Sequence, residues 1–171
     1  MNSQNSRILK AMVRYNEGDP KRVQHALKVY AFAKSIGELE GLDENMMEIL
    51  ELAAILHDIG IRNSERKYGS SSGKYQELEG PPVAEAILLE TGIPRAVIDR
   101  VCFLIGHHHT YTEISGPDYQ ILVEADFLVN LYEDGMGEAQ ARSVLQKYFK
   151  TETGKEYLSE MYLNSRNGAA V

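Results

Sequence analysis

The sequence predicts an all-α protein, a helical bundle of about seven to eight helices. Apolar residues recur at the three- and four-residue spacing of a helix face in segment after segment. No stretch alternates with the two-residue period of a strand for long enough to predict one. Glycine, proline and N-capping residues separate the helical segments at short intervals. The sequence contains no internal repeat and no linker, so we expect one domain over residues 1–171 with a sizeable core.

The N-terminal part of the chain shows two helices with clear boundary signals. A first short helix is expected from about residue 5 to 16. The pair Asp19-Pro20 predicts the start of the second helix, because aspartate is a favourable N-cap and proline suits the first helical position. Apolar residues such as Val29 follow at helical spacing until Gly41, where the second helix is expected to end.

A third helix is strongly apolar. Asp43 predicts its N-terminus, and the run from Ile49 to Gly60 supplies most of its apolar residues. Gly60 is interpreted as the glycine that closes this helix, since glycine is favoured just past a helix C-terminus. Residues 61 to 78 are rich in glycine, serine and charged residues, and they are interpreted as a long loop.

The second half of the chain is expected to be helical as well. Prolines and glycines again mark the boundaries, and the C-terminal residues 167–171 are expected to fray. The expected elements are helices that begin at Pro81 and Pro94, a loop over 110–117, a helix over 119–132 and C-terminal helices over 136–165.

Composition narrows the classes of function. The formal net charge of −7 argues against a nucleic-acid polymer as partner, because its phosphate backbone would be repelled. No segment resembles a signal peptide or is long enough to span a bilayer, so we expect a cytoplasmic protein without membrane association. The single cysteine, Cys102, lies in an apolar run and is interpreted as a small buried hydrophobic residue.

The third helix ends in a histidine next to an aspartate, His57-Asp58. Burying either side chain without a partner is costly, and a divalent metal ion satisfies both, because imidazole and carboxylate are good ligands for first-row cations. His25 and Asp126 each share a helix face with apolar residues, so both are expected to point into the core. Side chains from three helices therefore predict one metal site within a helical bundle.

Each of these residues also has an ordinary structural explanation. A lone inward histidine or aspartate is more often a hydrogen-bonded core residue than a ligand. Four such groups in one small core would each need a separate partner, and this coincidence favours the metal site. The mixed histidine and carboxylate donors suit Mn, Fe, Co, Ni or Zn better than Mg alone.

The ordered pattern of His25, His57-Asp58 and Asp126 on helices resembles that of the HD-domain metal-dependent phosphohydrolases. The resemblance covers roughly residues 20 to 132 and rests on three segments, Val23–Val29, Ala53–Gly60 and Glu124–Leu128. It implies an all-α fold, a divalent metal ion held by these four side chains, and hydrolysis of a phosphoester bond. Nucleotides are the commonest substrates in the family.

A histidine run and an acidic segment supply candidates for a second metal site. Within the run His107–His109, His108 best continues the core face of its helix and is the candidate to line the substrate pocket. Two-metal members of the family carry a further histidine after the long loop, where this chain has Glu77 and Glu79. Glu77 or Glu79 could therefore replace this histidine as a ligand of a second ion with His108 and His109. Glu79 is also a candidate general base or a helix N-terminal acid.

The predicted loop over 61–78 carries four cations, and two of them are candidates for phosphate binding. Arg62 directly follows the metal segment, and Lys74 lies near the end of the loop. The alternative is a solvated connection in which neither side chain contacts a ligand.

Taken together, these features predict a metal-dependent phosphohydrolase that acts on a phosphoester, with a nucleotide or another small phosphorylated metabolite as the expected substrate. Asp58 would bind the metal and orient water, and Glu79 would accept a proton. Two alternatives stay open: a di-iron oxygenase-type enzyme on a similar fold, and a non-catalytic module that senses a nucleotide or metal. A homodimer is also left open.

Overall fold

The computed structural model describes residues 2–164, and over that range it contains nine α-helices and no strand. The predicted all-α class is therefore confirmed. The fraying expected for residues 167–171 lies outside the described residues. The helices are α1 (Ser3–Tyr15), α2 (Pro20–Leu39), α3 (Glu44–Leu56), α4 (Ile61–Tyr68), α5 (Gly73–Leu89), α6 (Arg95–Ile105), α7 (Pro117–Glu133), α8 (Glu138–Tyr148) and α9 (Glu152–Leu158), followed by a π-helical turn (Ser159–Leu163).

The predicted N-caps of α2 and α3 are confirmed. Asp19 Oδ1 accepts a hydrogen bond from the backbone N–H of Arg22 at 3.1 Å. Asp43 Oδ1 accepts one from the backbone N–H of Met46 at 2.8 Å. In both cases the carboxylate satisfies a backbone donor that has no partner within the helix.

The interpretation of residues 61 to 78 as a loop is wrong. Residues 61–68 form α4, which ends at Gly69 in the left-handed region with φ +64°. α5 begins at Gly73, so Pro81 lies inside this helix and not at its start. The polar composition hides α4 because the helix is short and Ser64 is its one buried residue. This helix accounts for the count above the predicted seven to eight.

Gly60 has a different role from the predicted helix cap. α3 ends at Leu56, and the φ of Gly60 is −73°, which any residue can adopt. A Cβ on Gly60 would lie 2.5 Å from the carbonyl oxygen of Gln76 and 2.6 Å from the backbone nitrogen of Gly80. Glycine is therefore needed because α5 approaches the turn after α3 at backbone contact distance.

The core lies among the helices that carry the candidate site. α2 packs against α3 and α7, while α6 packs against α3 and α5. Val29, Leu52, Leu104 and Leu128, one from each of α2, α3, α6 and α7, are fully buried. Between residues 2 and 164 no helix has the length and apolar character to cross a membrane.

Candidate metal centre

The four predicted metal ligands lie together at one end of the core. His25 Nε2 is 3.1 Å from His57 Nε2, 3.1 Å from Asp126 Oδ1 and 3.5 Å from Asp58 Oδ2. His57 Nε2 is 3.6 Å from both Asp58 Oδ2 and Asp126 Oδ1. Donor atoms that share one ion at bond lengths of 2.0–2.2 Å stand about 3–3.6 Å apart, so these separations suit a common ion.

The spacing of these residues along their helices determines that their side chains face the core. His25 shares its face of α2 with buried Val29 and Ala33, and Asp126 lies on the buried face of α7. His57 follows the last residue of α3, whose last eight residues are all buried. His57 is fully buried, while Asp58 is partly exposed toward a cavity.

Three histidines present a bare ring nitrogen to this cluster. His57 Nδ1 donates to the carbonyl oxygen of Ala54 at 2.9 Å, and His108 Nδ1 donates to that of Ile105 at 2.7 Å. A carbonyl oxygen only accepts, so each Nδ1 carries a hydrogen, and the neutral ring presents the lone pair of Nε2. His25 follows the same rule, because its Nδ1 lies 2.9 Å from a carboxylate oxygen of Glu133.

Lone pairs and carboxylates that face one another repel unless a cation, either a proton on Nε2 or a metal ion, lies between them. Burial lowers the pKa of His25, but the hydrogen bond to Asp126 and the charge on Asp58 raise it to about 9. Burial raises the pKa of Asp126, yet the hydrogen bond that it accepts from His25, and the ring of His57 at 3.6 Å, hold that pKa below its usual range. The cluster thus attracts positive charge, and its donor set fits a divalent metal ion.

A second group of donors shares Asp58 with the first. Asp58 Oδ1 faces His108 Nε2 at 3.5 Å, and ligand atoms of Asp58, His108 and His109 lie within 4.8 Å of one another. His108 is 1% exposed, and its Nε2 has no hydrogen-bond partner among the described residues. Burial lowers the pKa of His109 to about 4, so His109 is neutral.

A cavity of about 500 Å³ opens onto the cluster. Its volume lies within the usual range for small-molecule sites. Residues from α2, α4, α5 and α7 and from the turn after α6 surround it. The lining residues that bear on function are Lys21, Arg22, His25, Asp58, Glu65, Gln76, His109, Asp126, Phe127, Asn130 and Glu133.

Glu79 does not reach the cluster, contrary to its predicted place as second-site ligand or general base. It is buried in an ion pair with Lys67 at 2.5 Å and accepts from the hydroxyl of Tyr68 at 2.9 Å. The hydrogen bond from Lys67 lowers the pKa of Glu79, which makes the carboxylate a poorer base. The expectation failed because residues 61–68 form α4, and Lys67 and Tyr68 of this helix are the partners of Glu79.

The predicted phosphate contacts of Arg62 and Lys74 also differ from the structure, since neither side chain lines the cavity. Arg62 donates to the carbonyl oxygen of Tyr15 and lies 5.8 Å from the centre of that ring. Lys74 is exposed and lies 6.0 Å from the ring of Tyr75. Of the histidine run, it is His109 that lines the cavity, while His108 lies behind Asp58.

Sequence analysis overlooked several residues around the cavity. Glu133 follows Asp126 by seven residues, two helical turns, and therefore shares its face of α7. Asn130 lies on the same face one turn after Asp126, and Lys21 precedes His25 by one turn. All three residues could have been identified from their spacing of one or two helical turns from the predicted ligands.

Comparison with known proteins agrees with this arrangement. A family model for the HD domain matches residues 22–156. The fold is similar to the crystal structure of a predicted HD superfamily hydrolase from an uncultured Thermotogales bacterium, with a TM-score of 0.64 and 25% sequence identity. The similarity covers 90% of this chain and 82% of that chain. No curated protein matches the chain.

Proposed function

The chain belongs to the HD domain family, and on this premise we propose that it is a metal-dependent phosphohydrolase for a small phosphorylated substrate. His25, His57, Asp58 and Asp126 are the proposed ligands. The observation that carries the proposal is the convergence of bare imidazole nitrogens and two carboxylates at the base of a cavity. The proposed ions are Mn, Fe, Co, Ni or Zn, which suit mixed nitrogen and oxygen donors.

When bound, a divalent ion supplies Lewis acidity toward a phosphoryl oxygen and acidifies water. The side chains of the protein would orient the reacting water molecule. Asp58 directs Oδ2 toward His25 and His57, and Oδ1 toward Nε2 of His108. A water beside Asp58 can donate a hydrogen bond to Oδ1, and the bare Nε2 of His108 is the next acceptor at 3.5 Å. These two groups take the role that sequence analysis gave to Glu79.

Lys21 is the proposed phosphate contact. Lys21 and Arg22 are the lysine and arginine that line the cavity within the described range. Arg22 is already held by Asp19 at 3.2 Å and by Glu65 at 2.6 Å. Lys21 has no carboxylate within 4.0 Å among the described residues, so its ammonium group is available for a substrate phosphate.

The charge of the cavity favours a substrate with few phosphates. Away from the cluster, the carboxylates of Asp19, Glu65, Glu133 and Asp134 line the cavity with the two cations Lys21 and Arg22. Four carboxylates against two cations leave an excess of negative charge, which would repel a polyphosphate chain. A phosphomonoester, such as a nucleoside monophosphate or another small metabolite, therefore fits better than a triphosphate.

The oxygenase alternative has less support. That hypothesis depended on the carboxylates near Glu79 and on the histidine run, and the carboxylate of Glu79 is paired with Lys67. The second donor group contributes two histidines beside Asp58, and Gln76 Oε1 lies 3.1 Å from His109 Nε2. A redox titration of the loaded protein distinguishes the two functions, because a hydrolase works with redox-inert Zn²⁺.

The proposal is tested by metal analysis of the purified protein followed by a phosphatase screen. The metal-free protein is reloaded with each ion in turn and assayed with nucleoside mono-, di- and triphosphates and with sugar phosphates. We expect one stoichiometric ion and turnover that is fastest for monoesters. Metal binding without turnover of any phosphoester would favour the sensing module, and the absence of metal binding would refute the proposal.

A further inference from the structure

Glu133 lies directly behind the histidine that joins the cluster from α2. Its Oε2 is 2.9 Å from His25 Nδ1, on the side of the ring opposite to the candidate metal position. The carboxylate is largely buried, with 13% of its side chain exposed. Glu133 also lines the cavity, although it contributes no atom to the cluster of donors.

The contact between His25 and Glu133 differs in kind from the Nδ1 contacts of the other two inward histidines, His57 and His108. His57 and His108 each donate Nδ1–H to a backbone carbonyl of the preceding turn, Ala54 and Ile105 respectively. These carbonyls are neutral and fixed by the helix. His25 alone of the three donates to a charged side chain, and that side chain comes from a different helix, α7.

Glu133 is itself held in place. Lys28, one turn after His25 on α2, forms an ion pair with the other carboxylate oxygen, Oε1. A carboxylate that accepts from both the Lys28 ammonium group and a histidine N–H is held in its charged form. The result is a chain of contacts from Lys28 through Glu133 to His25 that crosses between α2 and α7.

We propose that Glu133 is a positioning residue that sets the tautomer and the ring orientation of His25 for metal binding. A charged carboxylate accepts only, so it keeps the hydrogen on Nδ1 and leaves Nε2 free as a donor to the ion. Its negative charge also increases electron donation by the ring. This inference rests on the proposed metal site, and it adds a residue that neither the family pattern nor the predicted ligand set contains.

The test compares two variants that each remove one negative charge from the same cavity wall. Glu133→Gln keeps the shape of the side chain, but its amide can turn an N–H toward His25. Asp134→Asn is the matched control, because Asp134 lines the cavity and has no contact with an inward histidine. The dissociation constants for Co²⁺ and Zn²⁺ are measured by competition with a chelator, and the Co²⁺ absorption spectrum reports the ligand geometry.

We expect Glu133→Gln to weaken metal affinity by about 10- to 100-fold and to alter the Co²⁺ spectrum. Asp134→Asn should stay within about threefold of the wild type, as expected for a charge without a ligand contact. Equal weakening in both variants would refute the inference, because it would reflect the charge of the cavity and not the contact with His25. Wild-type affinity in Glu133→Gln would refute it as well.

A second measurement does not depend on the folding of a variant. In the Zn²⁺-loaded wild type with ¹⁵N-labelled histidine, NMR should show His25 with hydrogen on Nδ1 and metal on Nε2. The reverse arrangement would overturn the inference. If the wild type binds no metal, both the proposed function and the role of Glu133 are refuted. If it binds metal without hydrolysing phosphoesters, the role of Glu133 can still be confirmed by the variants.

Discussion

Gly60 and Gly80 bring α5 against the turn that carries the histidine–aspartate pair. A Cβ on Gly60 would stand 2.6 Å from the backbone nitrogen of Gly80, and a Cβ on Gly80 would stand 2.6 Å from a methyl of Ile105. Three segments therefore meet where a single added carbon has no room. This contact sets the distance between His57-Asp58 and the α5 wall of the cavity, which includes Gln76.

The Gly60→Ala variant should lose both stability and metal affinity. Its Cβ would overlap backbone atoms, which cannot rotate away as a side chain can, and overpacking of this kind costs about 1–3 kcal/mol. The relief of this overlap would displace the turn that holds Asp58. Urea unfolding and metal titration measure the two effects.

The control for this variant is Gly18→Ala. Gly18 has φ +83°, so alanine would be strained there, but its Cβ would meet no atom within 4 Å. We expect a loss of stability in Gly18→Ala with unchanged metal affinity. If Gly60→Ala likewise leaves metal affinity unchanged, the glycine contact has no role in placing the candidate ligands.

The fold and the central cluster could be predicted from the sequence because both depend on helix phase. His25 and Asp126 each lie at helical spacing from apolar residues, and the structure places both in the core beside His57. Periodicity on one helix decides which side chains face inward. Inward side chains from α2, α3 and α7 meet because these helices pack together.

The outer part of the site could not be predicted in the same way. Glu79 and Arg62 were assigned from their nearness in sequence to the metal segment and from charge, and the structure gives them other partners, Lys67 and Tyr15. A long polar side chain can pair with any of several groups, and the tertiary structure determines which of them lies within reach. The polar segment that forms α4 posed the same problem, because tertiary contacts outweighed its composition.

The variants Asp58→Ala and Glu79→Gln should differ in activity and metal content, because Asp58 belongs to the cluster and Glu79 does not. Asp58→Ala removes a proposed ligand, so we expect activity at background level, a lower metal content by elemental analysis and an unchanged helical circular dichroism spectrum. Glu79→Gln should keep at least about a third of the wild-type kcat, because Glu79 belongs to neither donor group and does not line the cavity. Full turnover in Asp58→Ala, or complete loss in Glu79→Gln, would contradict the proposed site.

Cys102 should react slowly with thiol reagents in the folded protein. Burial raises the pKa of its thiol to about 11, and Sγ lies 3.6 Å from the carbonyl oxygen of Pro81 as a weak donor. At pH 8 only a small fraction is thiolate, the reactive form. The alkylation rate at pH 8 should therefore rise sharply when the protein unfolds in urea. A rate in the native protein equal to that of the unfolded chain would show that Cys102 is accessible and unperturbed.

Lys21→Ala should weaken substrate binding without loss of metal. Lys21 lines the cavity one turn before His25, and no carboxylate of the described residues neutralises it within 4.0 Å. Loss of one charge-assisted contact should raise KM for a phosphomonoester by about three- to tenfold, with a smaller effect at high salt because the ammonium group is exposed. Lys74→Ala is the matched control, since it removes the same charge from an exposed position outside the cavity. Equal KM values for Lys21→Ala and Lys74→Ala at low ionic strength would mean that general electrostatic attraction, and not a contact from Lys21, binds the phosphate.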